Sequence, residues 1–279
     1  MQYRRVLTIQ DISCVGQCSG TVALPIISAC GAECAIVPSA VLSTHTGGFE
    51  GYTVKDLTPE IPKIRKHWEK EDINFDCIYT GYLCSERQIK YVTDMFDSRL
   101  NRMGFRVVDP VMGDNGKLYA GFDEAFVDKM RDLCRIADII IPNITEACLL
   151  TGMEYQEEYD QPYIDQLLLA LNEMGARCII LTGVSFHPET TGVMVYEEGF
   201  TSYYEHRKVE GSFHGTGDVF ASAFVGAMMH EIGALRAAVV AADFTVDCIL
   251  GTEEDKEDHW YGVKFEPQIP ELLKALKII

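Results

Sequence analysis

A short glycine-rich run in the C-terminal third of the chain combines residue types that can hold an anion beside a carboxylate. Gly215, Thr216 and Gly217 come directly before Asp218, and an apolar pattern of helical period follows. This pattern predicts a loop that becomes a helix, whose first-turn N–H groups lie unpaired at the positive end of the helix dipole. Such helix N-termini bind phosphate groups. We therefore predict an anion hole at residues 215–217, with Asp218 facing the group that is phosphorylated.

The same run is also compatible with an ordinary helix cap, in which Asp218 only complements the helix dipole. In either case the dipole is expected to lower the pKa of Asp218 and to keep its carboxylate ionised at neutral pH. The choice between the two interpretations depends on residues elsewhere in the chain that would complete a phosphate site.

Polar residues follow several of the apolar segments that we predict to be strands. They are Gln10-Asp11, Thr80-Gly81-Tyr82, Asp109, Asn143 and Thr182-Gly183. In a parallel sheet the carboxyl ends of the strands meet at one edge, and ligands bind there. Polar groups at several strand ends therefore favour a binding site over a pattern that serves stability alone.

The order of the elements predicts an α/β fold with three layers. Strands are predicted at 3–10, 34–37, 76–79, 105–109, 139–141, 178–181, 192–196 and 200–205, and helices at 16–30, 59–71, 85–102, 122–134, 145–150, 163–174, 217–231, 235–250 and 270–277. Strands separated by helices imply a mostly parallel sheet with helices on both faces. Residues 44–57 are rich in glycine and threonine and lack a helical period, which predicts an extended flap. Nothing marks a boundary, so we expect residues 1–279 to form a single domain.

The bulk properties exclude several classes of protein. A formal charge of −18 argues against binding to nucleic acid or to an anionic membrane, because both need clustered Lys and Arg. No apolar run is long enough for a membrane span, and the N-terminus does not resemble a signal peptide. The ten cysteines lack the spacing of a zinc site and indicate reduced, mostly buried thiols. We therefore expect a cytoplasmic protein.

Two common nucleotide-binding motifs are missing from the sequence. The run from Gly113 to Lys117 has the wrong spacing for a P-loop, and the segment from Asp11 to Gly16 after the first predicted strand has no G-x-G-x-x-G. A P-loop NTPase and a dinucleotide-dependent dehydrogenase are therefore poor interpretations.

Four stretches, taken together, resemble a known family. They are Leu42-Ser43-Thr44-His45-Thr46-Gly47-Gly48, Val108-Asp109-Pro110-Val111-Met112-Gly113-Asp114, Pro142-Asn143-Ile144-Thr145-Glu146-Ala147 and Gly215-Thr216-Gly217-Asp218. In this order they resemble the ribokinase-like superfamily, and the first stretch is similar to that of the vitamin B6 kinases. The resemblance covers essentially the whole chain. It implies a ribokinase-like fold and ATP-dependent phosphorylation of an alcohol, the 5′-hydroxymethyl group of pyridoxal, pyridoxine or pyridoxamine.

The resemblance also implies a role for each residue of these stretches. Asp218 would be the catalytic base, and Gly215, Thr216 and Gly217 the anion hole. Asp109, Asp114, Asn143 and Glu146 would organise Mg²⁺ and its waters around ATP, and Thr145 would join a monovalent-cation site for which K⁺ is a candidate. Tyr119, Thr182 and Gly183 would lie beside the nucleotide, and His45, Thr46 and Tyr82 beside the substrate ring. The resemblance further implies a homodimer.

Each of these residues has a simpler structural interpretation when it is taken alone. Asp114 could belong to a surface turn, and Asn143 with Glu146 could form a helix cap with its capping-box partner. His45 could be a buried structural histidine, and Tyr82 and Tyr119 could serve packing. Only their joint occurrence favours a site.

Asp11 departs from the pattern of the family, in which a serine often lines the ring pocket at this point. An aspartate offers a charge where serine offers a neutral donor and acceptor, which leads to the hypothesis that Asp11 favours a cationic substrate, through a pyridinium nitrogen or the amine of pyridoxamine. Alternatively, Asp11 points away, and Ser13 or a water replaces the lost contact.

Two other functions remain open at this stage. A hydroxymethylpyrimidine kinase of the same superfamily also phosphorylates a CH₂OH group on a flat heteroaromatic ring, although the stretch around His45 disfavours it. A non-catalytic B6-binding protein would have no need of the base at Asp218.

Overall fold

The computed structural model describes residues 3–211 and 213–279, and over these residues strands and helices alternate. The strands are β1 (Arg5–Ser13), β2 (Glu33–Leu42), β3 (Val54–Asp56), β4 (Cys77–Thr80), β5 (Phe105–Val108), β6 (Gly113–Asp114), β7 (Lys117–Leu118), β8 (Ile139–Ile140), β9 (Cys178–Val184), β10 (Thr190–Glu197) and β11 (Phe200–Arg207). The helices are α1 (Gly20–Ala29), α2 (Ile61–Lys70), α3 (Glu86–Phe96), α4 (Glu124–Arg135), α5 (Ile144–Thr151), α6 (Gln161–Met174), α7 (Thr216–Met228), α8 (Ala234–Glu253) and α9 (Ile269–Ala275), with short 3₁₀ turns at Arg99–Asn101 and Glu266–Gln268.

Nine strands form one sheet in the order β11-β10-β9-β8-β5-β4-β1-β2-β3, and β6 pairs separately with β7. The six strands from β9 to β2 are parallel, whereas β10, β11 and β3 add antiparallel pairs at the two edges. The predicted three-layer α/β/α fold with a mostly parallel sheet is therefore confirmed.

The central strands are apolar on both faces because helices cover both faces of the sheet. Along β1, Val6 packs into the core layer that α1, α7 and α8 cover, whereas Leu7 and Ile9 pack into the layer that contains α3 to α6. This alternation follows from the two-residue period of a strand. It explains why such strands read as nearly continuous apolar runs in the sequence.

Several helices begin at side-chain caps. Ser85 caps α3, Asp123 caps α4 and Asp160 caps α6, each by accepting a hydrogen bond from a backbone N–H of the first turn. Asn143 and Glu146 form a reciprocal capping box at the start of α5. These caps satisfy N–H groups that a helix leaves unpaired.

Several of the predicted strand ends are wrong. Strands β1 and β9 extend to Ser13 and Val184, so Gln10-Asp11 and Thr182-Gly183 lie within these strands rather than after them.

Three further corrections concern two helices and the flap. The helix predicted at 16–30 begins only at Gly20, because residues 14–19 form a loop in which Gln17 and Ser19 have positive φ angles of 53° and 54°. The helix predicted at 85–102 ends at Phe96 and is followed by a separate 3₁₀ turn. The predicted flap at 44–57 is shorter than expected, since residues 54–56 form the edge strand β3.

The β6–β7 hairpin was predicted only as a turn. Asn115 and Gly116 connect its strands with φ angles of 50° and 73°. Two consecutive positive φ angles are typical of the tight hairpin turn that an Asn-Gly pair favours.

The cysteines and the helices agree with the composition. All ten cysteines are free thiols, and six of them are buried. Within residues 3–211 and 213–279, the helices are all too short or too polar to cross a membrane.

Phe224→Ala is expected to destabilise the fold strongly. Phe224 lies in α7 and is fully buried in the layer between the sheet and α8. Removing a buried phenyl ring leaves a cavity, which typically costs about 3–5 kcal/mol. The free energy of unfolding, measured by urea titration, should fall by this amount.

Phe200→Ala provides the matched control, since this ring is 77% exposed. It should change the free energy of unfolding by less than about 0.5 kcal/mol. Equal losses in the two variants would contradict the packing described for α7.

Candidate functional site

The carboxyl ends of the parallel strands bring most of the predicted site residues to one edge of the sheet. The Asp109 amide donates to the Thr80 carbonyl at 3.0 Å, so the ends of β4 and β5 are level. The Thr182 amide donates to the Pro142 carbonyl at 2.9 Å, which aligns β9 with the segment that follows β8. Thr80 and Asp109, and likewise Asn143 and Thr182, therefore lie side by side at the carboxyl edge of the sheet.

Helix α7 presents an uncapped N-terminus at this edge. Its N-cap, Gly215, has a φ of 79° and forms no side-chain cap. A Cβ at Gly215 would lie 2.1 Å from the Gln17 carbonyl oxygen, so both the backbone angle and the space require glycine there. The Cα of Gly217, in contrast, faces open space. A ligand can therefore approach the first-turn N–H groups of α7 closely.

Asp218 lies in this first turn, and burial raises the pKa of its carboxyl to about 7. The Ser19 N–H hydrogen-bonds to the carboxylate and lowers the pKa, whereas the nearby charge of Asp11 raises it. The expectation that the helix dipole would lower this pKa is therefore wrong, because desolvation outweighs the dipole. Asp218 can accept a proton close to neutral pH.

Two further acids, Asp109 and Glu146, are buried beside Asp218. Burial raises the pKa of Asp109 well above its ordinary value, and the charges of Glu146 and Asp218 raise it further. Burial also raises the pKa of Glu146, although the amides of Met112 and Asn143 donate to its two oxygens at 3.1 and 2.9 Å. The three acids therefore form one electrostatically coupled group at the sheet edge.

The N-terminus of α5 fixes the β6–β7 hairpin beside these acids. The Asn143 amide nitrogen Nδ2 donates to the Gly113 carbonyl at 2.9 Å, and the Gly116 amide donates to Thr145 Oγ1 at 2.9 Å. The helix-cap interpretation of Asn143 and Glu146 is therefore confirmed, and Asn143 also fixes the hairpin beside the acids. Their role toward Mg²⁺ stays a prediction.

The acids are chemically suited to a hard cation. No Lys or Arg forms an ion pair with Asp109 or Glu146 in the described part of the chain. Within the same residues, no three His, Cys, Asp or Glu side chains form a ready-made metal cluster. Mg²⁺ does not need one, because it commonly keeps several waters and binds one or two carboxylates together with substrate phosphates.

Other predicted residues lie at the periphery of the site. Asp114 is exposed, and its carboxylate accepts hydrogen bonds from the backbone and side chain of Asn115. Tyr119 is 42% exposed. Burial raises the pKa of its hydroxyl, and the charges of nearby acids, including Glu146, Asp109 and Asp218, raise it further. Thr46 and Gly183 are exposed, and Thr182 is half-buried.

The side of the site that was predicted to take the substrate contains Asp11 and its neighbours. Asp11 is 4% exposed, and its Oδ2 accepts a hydrogen bond from the Ser13 hydroxyl at 2.9 Å. Burial raises its pKa, whereas hydrogen bonds from the hydroxyls of Ser19 and Ser13 lower it. Tyr82 is half-buried, and the Asp11 charge contributes to the raised pKa of its hydroxyl, after burial.

The flap is held down by His45 and an aromatic cluster. His45 Nε2 lies 2.7 Å from the Tyr261 carbonyl oxygen, and the Gly47 amide donates to Nδ1 at 3.0 Å. Because a carbonyl can only accept and an amide can only donate, the ring is fixed as the neutral Nε2–H tautomer. Phe49 packs on Trp260 with ring centroids 4.6 Å apart.

The flap also contacts the loop before the predicted anion hole. The rings of His45 and His214 lie 5.2 Å apart, and a Cβ at Gly47 would lie 2.8 Å from the His214 ring. Burial lowers the pKa of His214. The flap, residues 259–261 and the start of α7 are therefore in direct contact around one site.

Several residues of the site were missed by reasoning from sequence. Ser19 and Trp260 carry no motif, and their positions depend on a loop conformation and on packing between distant segments. Tyr79 was predicted only as part of an apolar strand. Its hydroxyl is buried below the acids, where burial and the charges of Asp109 and Asp218 raise its pKa. Within the described residues, the buried atoms Gln10 Oε1 and Ser222 Oγ have no hydrogen-bond partner.

Comparisons with known proteins agree with this geometry. The sequence profile described as phosphomethylpyrimidine kinase matches residues 23–260. A Bacteroides thetaiotaomicron VPI-5482 protein, provisionally named a phosphomethylpyrimidine kinase, is 34% identical, with a TM-score of 0.93 over 98% of this chain and 94% of its own. A second crystal form of that protein, with pyridoxal, has a TM-score of 0.89 over 97% of this chain and 96% of its own, at 33% identity.

Two further relatives carry different names. A structure of pyridoxal kinase from Lactobacillus plantarum is 31% identical, with a TM-score of 0.91 over 99% of both chains. The chloroplastic thiamine biosynthetic bifunctional enzyme TH1 of Arabidopsis thaliana is 30% identical over 88% of this chain. The chain spans 48% of the length of that enzyme.

Asp218→Asn is expected to stabilise the ligand-free protein, and more so as the pH rises. The folded-state pKa of about 7 exceeds the ordinary value of 3.8. Proton binding by the Asp218 carboxyl therefore stabilises the folded state fully below pH 3.8, and this stabilisation is lost as the pH rises through 7. The midpoint of thermal unfolding of the variant should exceed that of the wild type by several degrees near pH ~8.5, and by less near pH ~5.5.

Asp165→Asn removes an exposed acid of α6 and serves as the control for that experiment. Its thermal midpoint should follow the wild type at both pH values. If the offset of Asp218→Asn were the same at both pH values, the raised pKa of Asp218 would be contradicted.

Trp260→Ala is expected to loosen the flap. It removes the ring on which Phe49 packs, so the flap amides between Ser43 and Thr53 should exchange faster with deuterium, as measured by mass spectrometry. Trp68→Ala is the matched control, because Trp68 packs on Phe75 in the layer of α2 and α3. Unchanged flap exchange in Trp260→Ala, or equal acceleration in both variants, would show that Trp260 does not hold the flap.

Proposed function

The chain belongs to the phosphomethylpyrimidine kinase family, and we propose that its reaction is ATP-dependent phosphorylation of the 5′-hydroxymethyl group of a B6 vitamer. The observation that carries the proposal is the position of Asp218. Its carboxyl titrates near neutral pH, lies in the first turn of the uncapped helix α7 and is electrostatically coupled to the buried Asp109. A proton acceptor, an anion site and cation-binding acids therefore share one edge of the sheet.

The anion hole is the start of α7. Gly215, Thr216 and Gly217 offer backbone N–H groups to the phosphoryl group as it is transferred, and the absence of a side chain at Gly217 leaves the approach open. Phosphoryl transfer needs positioning and neutralisation of charge more than covalent catalysis. Fixed backbone dipoles supply part of that neutralisation.

Asp218 acts as the base. Its pKa of about 7 still lies about nine units below that of an alcohol, near ~16, so it cannot generate a free alkoxide beforehand. The proton instead moves to the carboxylate late, as the phosphoryl group reaches the hydroxyl oxygen in a loose transition state. A base with a pKa near 7 suits this role at physiological pH.

Asp109 and Glu146 would hold Mg²⁺, directly or through water. When bound, the ion would supply positive charge to the nucleotide phosphates. Asn143 orients Glu146 and the hairpin, and Asp114 and Tyr119 border the phosphates from the hairpin side. Thr182 and Gly183 flank the nucleotide at the end of β9. Thr145, which accepts from Gly116, is the candidate contact for a K⁺ ion.

The flap and Asp11 form the acceptor pocket. His45 supports the flap and does not hydrogen-bond to the substrate, since backbone groups occupy both of its ring nitrogens. The half-buried Tyr82 supplies an aromatic surface for the ring of the acceptor. Thr46 lies on the flap and is exposed. A closed flap excludes water, so that ATP is not hydrolysed unproductively.

A B6 vitamer is favoured by two relatives that align along almost the whole chain, the Lactobacillus plantarum pyridoxal kinase and the Bacteroides protein solved with pyridoxal. The alternative acceptor is hydroxymethylpyrimidine, which the name of the phosphomethylpyrimidine kinase family favours. A non-catalytic binding protein is the third candidate, and the raised pKa of Asp218 argues against it. A homodimer and a cytoplasmic location belong to the proposal through the family resemblance.

The purified protein should form ADP and a 5′-phosphate with Mg-ATP and at least one of pyridoxal, pyridoxine and pyridoxamine. Asp218→Asn should lower kcat by about 10²–10⁴-fold, because the base is lost, while ATP still binds. Product formation is measured by chromatography and ATP binding by calorimetry.

Asp165→Asn is again the control and should retain wild-type kcat. Turnover of hydroxymethylpyrimidine alone would replace the proposed acceptor with the alternative one. Wild-type turnover by Asp218→Asn would remove Asp218 from the mechanism, and nucleotide binding without any product would favour the binding protein.

A further inference from the structure

Asp11 is a buried carboxylate without a positive partner. It is 4% exposed and forms no ion pair with Lys, Arg or His within the described residues. Its hydrogen bonds come from neutral donors, which are the hydroxyls of Ser13 and Ser19 and its own backbone N–H. A buried charge is costly unless a counter-charge or several donors compensate it. The protein itself supplies only part of this compensation.

A positive charge on His45 would lower the pKa of Asp11, but backbone groups occupy both nitrogens of the His45 ring. Nε2 donates to the Tyr261 carbonyl, and Nδ1 accepts from the Gly47 amide, so neither nitrogen has a free proton to offer. A protonated ring would place an N–H against the Gly47 N–H and break the contact that holds the flap.

Asp11 is close to both the proposed base and the proposed aromatic wall of the pocket. After burial, its charge contributes to the raised pKa of the Asp218 carboxyl and of the Tyr82 hydroxyl. A ring that presents its hydroxymethyl group to Asp218 and its face to Tyr82 must therefore place one of its substituents near Asp11. The missing counter-charge is at the position where the acceptor binds.

We propose that Asp11 determines the acceptor preference by pairing with a positively charged aminomethyl group, so that pyridoxamine is favoured over pyridoxal and pyridoxine. This inference rests on the proposed function, because it assumes a B6 vitamer as acceptor. The three vitamers differ only in the substituent at ring carbon 4, which is an ammonium-bearing arm, an aldehyde or an alcohol. Selection among them can therefore act only through that substituent.

The physical basis is a charge-assisted hydrogen bond set against repulsion. An ammonium group donates to the carboxylate and neutralises it in a site from which water is largely excluded. An aldehyde oxygen can only accept, so it would face the Asp11 oxygens without a donor and leave the buried charge unpaired. An alcohol can donate but brings no charge. The expected order of preference is pyridoxamine, then pyridoxine, then pyridoxal.

The test is the ratio of kcat/KM for pyridoxamine to that for pyridoxal. Asp11→Asn keeps the size of the side chain and removes its charge, and Asp11→Ser provides a smaller neutral group. Both should lower the ratio at least about tenfold, mainly through KM for pyridoxamine, as expected for loss of a buried charge pair. Asp165→Asn removes an exposed carboxylate of α6 and should leave the ratio unchanged.

Binding measured without turnover separates this inference from the proposed function. In the Asp218→Asn background, calorimetry should show tighter binding of pyridoxamine than of pyridoxal, and adding Asp11→Asn should abolish the difference. A wild-type protein that phosphorylates no vitamer overturns the proposed function.

Three results would overturn the role of Asp11 itself. The first is an unchanged ratio in both Asp11 variants. The second is an equal loss for all three vitamers, which would indicate contact with the ring nitrogen or a purely structural role. The third is equal binding of pyridoxamine and pyridoxal in the Asp218→Asn background.

Discussion

The burial of negative charge at one edge of the sheet is the constraint on which the site depends. Asp11, Asp109, Glu146 and Asp218 are brought close together with little access to water, and burial raises the pKa of every one of them. In place of positive side chains, backbone N–H groups, serine hydroxyls and the N-terminus of α7 provide the compensation. Groups of this kind stabilise an ionised carboxylate only partly. The remaining demand for positive charge is what a metal–nucleotide complex and a cationic acceptor would satisfy.

The fold makes this arrangement possible because its parallel strands end together. Asp11 lies near the end of β1 and Asp109 directly follows β5, whereas Glu146 and Asp218 lie in the first turns of α5 and α7. No local segment therefore carries more than one of these charges. The core on both faces of the sheet fixes the strand ends, and α5 and α7 are packed firmly enough to hold their first turns in place. The favourable free energy of core packing thus offsets the cost of burying these charges together, as is common at functional sites.

The flap adds a second connection between distant parts of the chain. Its two ends are anchored by pairing of β2 with β3, and its centre packs on Trp260 and His214. His214 immediately precedes Gly215, the N-cap of α7, so displacement of the flap would remove packing contacts next to the predicted anion hole. The neutral tautomer of His45, fixed by the Tyr261 carbonyl and the Gly47 amide, is part of the same contact.

The sequence by itself determined the layered α/β fold, the strand ends that carry polar groups and the helix N-terminus at Gly215, because these follow from local periodicity and glycine placement. It also identified the acids of the site, since their motifs are short and contiguous. Only the tertiary structure decided the pKa of Asp218, the role of Ser19 and the flap contact of Trp260. Desolvation, a positive φ angle in a loop and packing between segments more than 200 residues apart depend on the whole fold, and no local pattern encodes them.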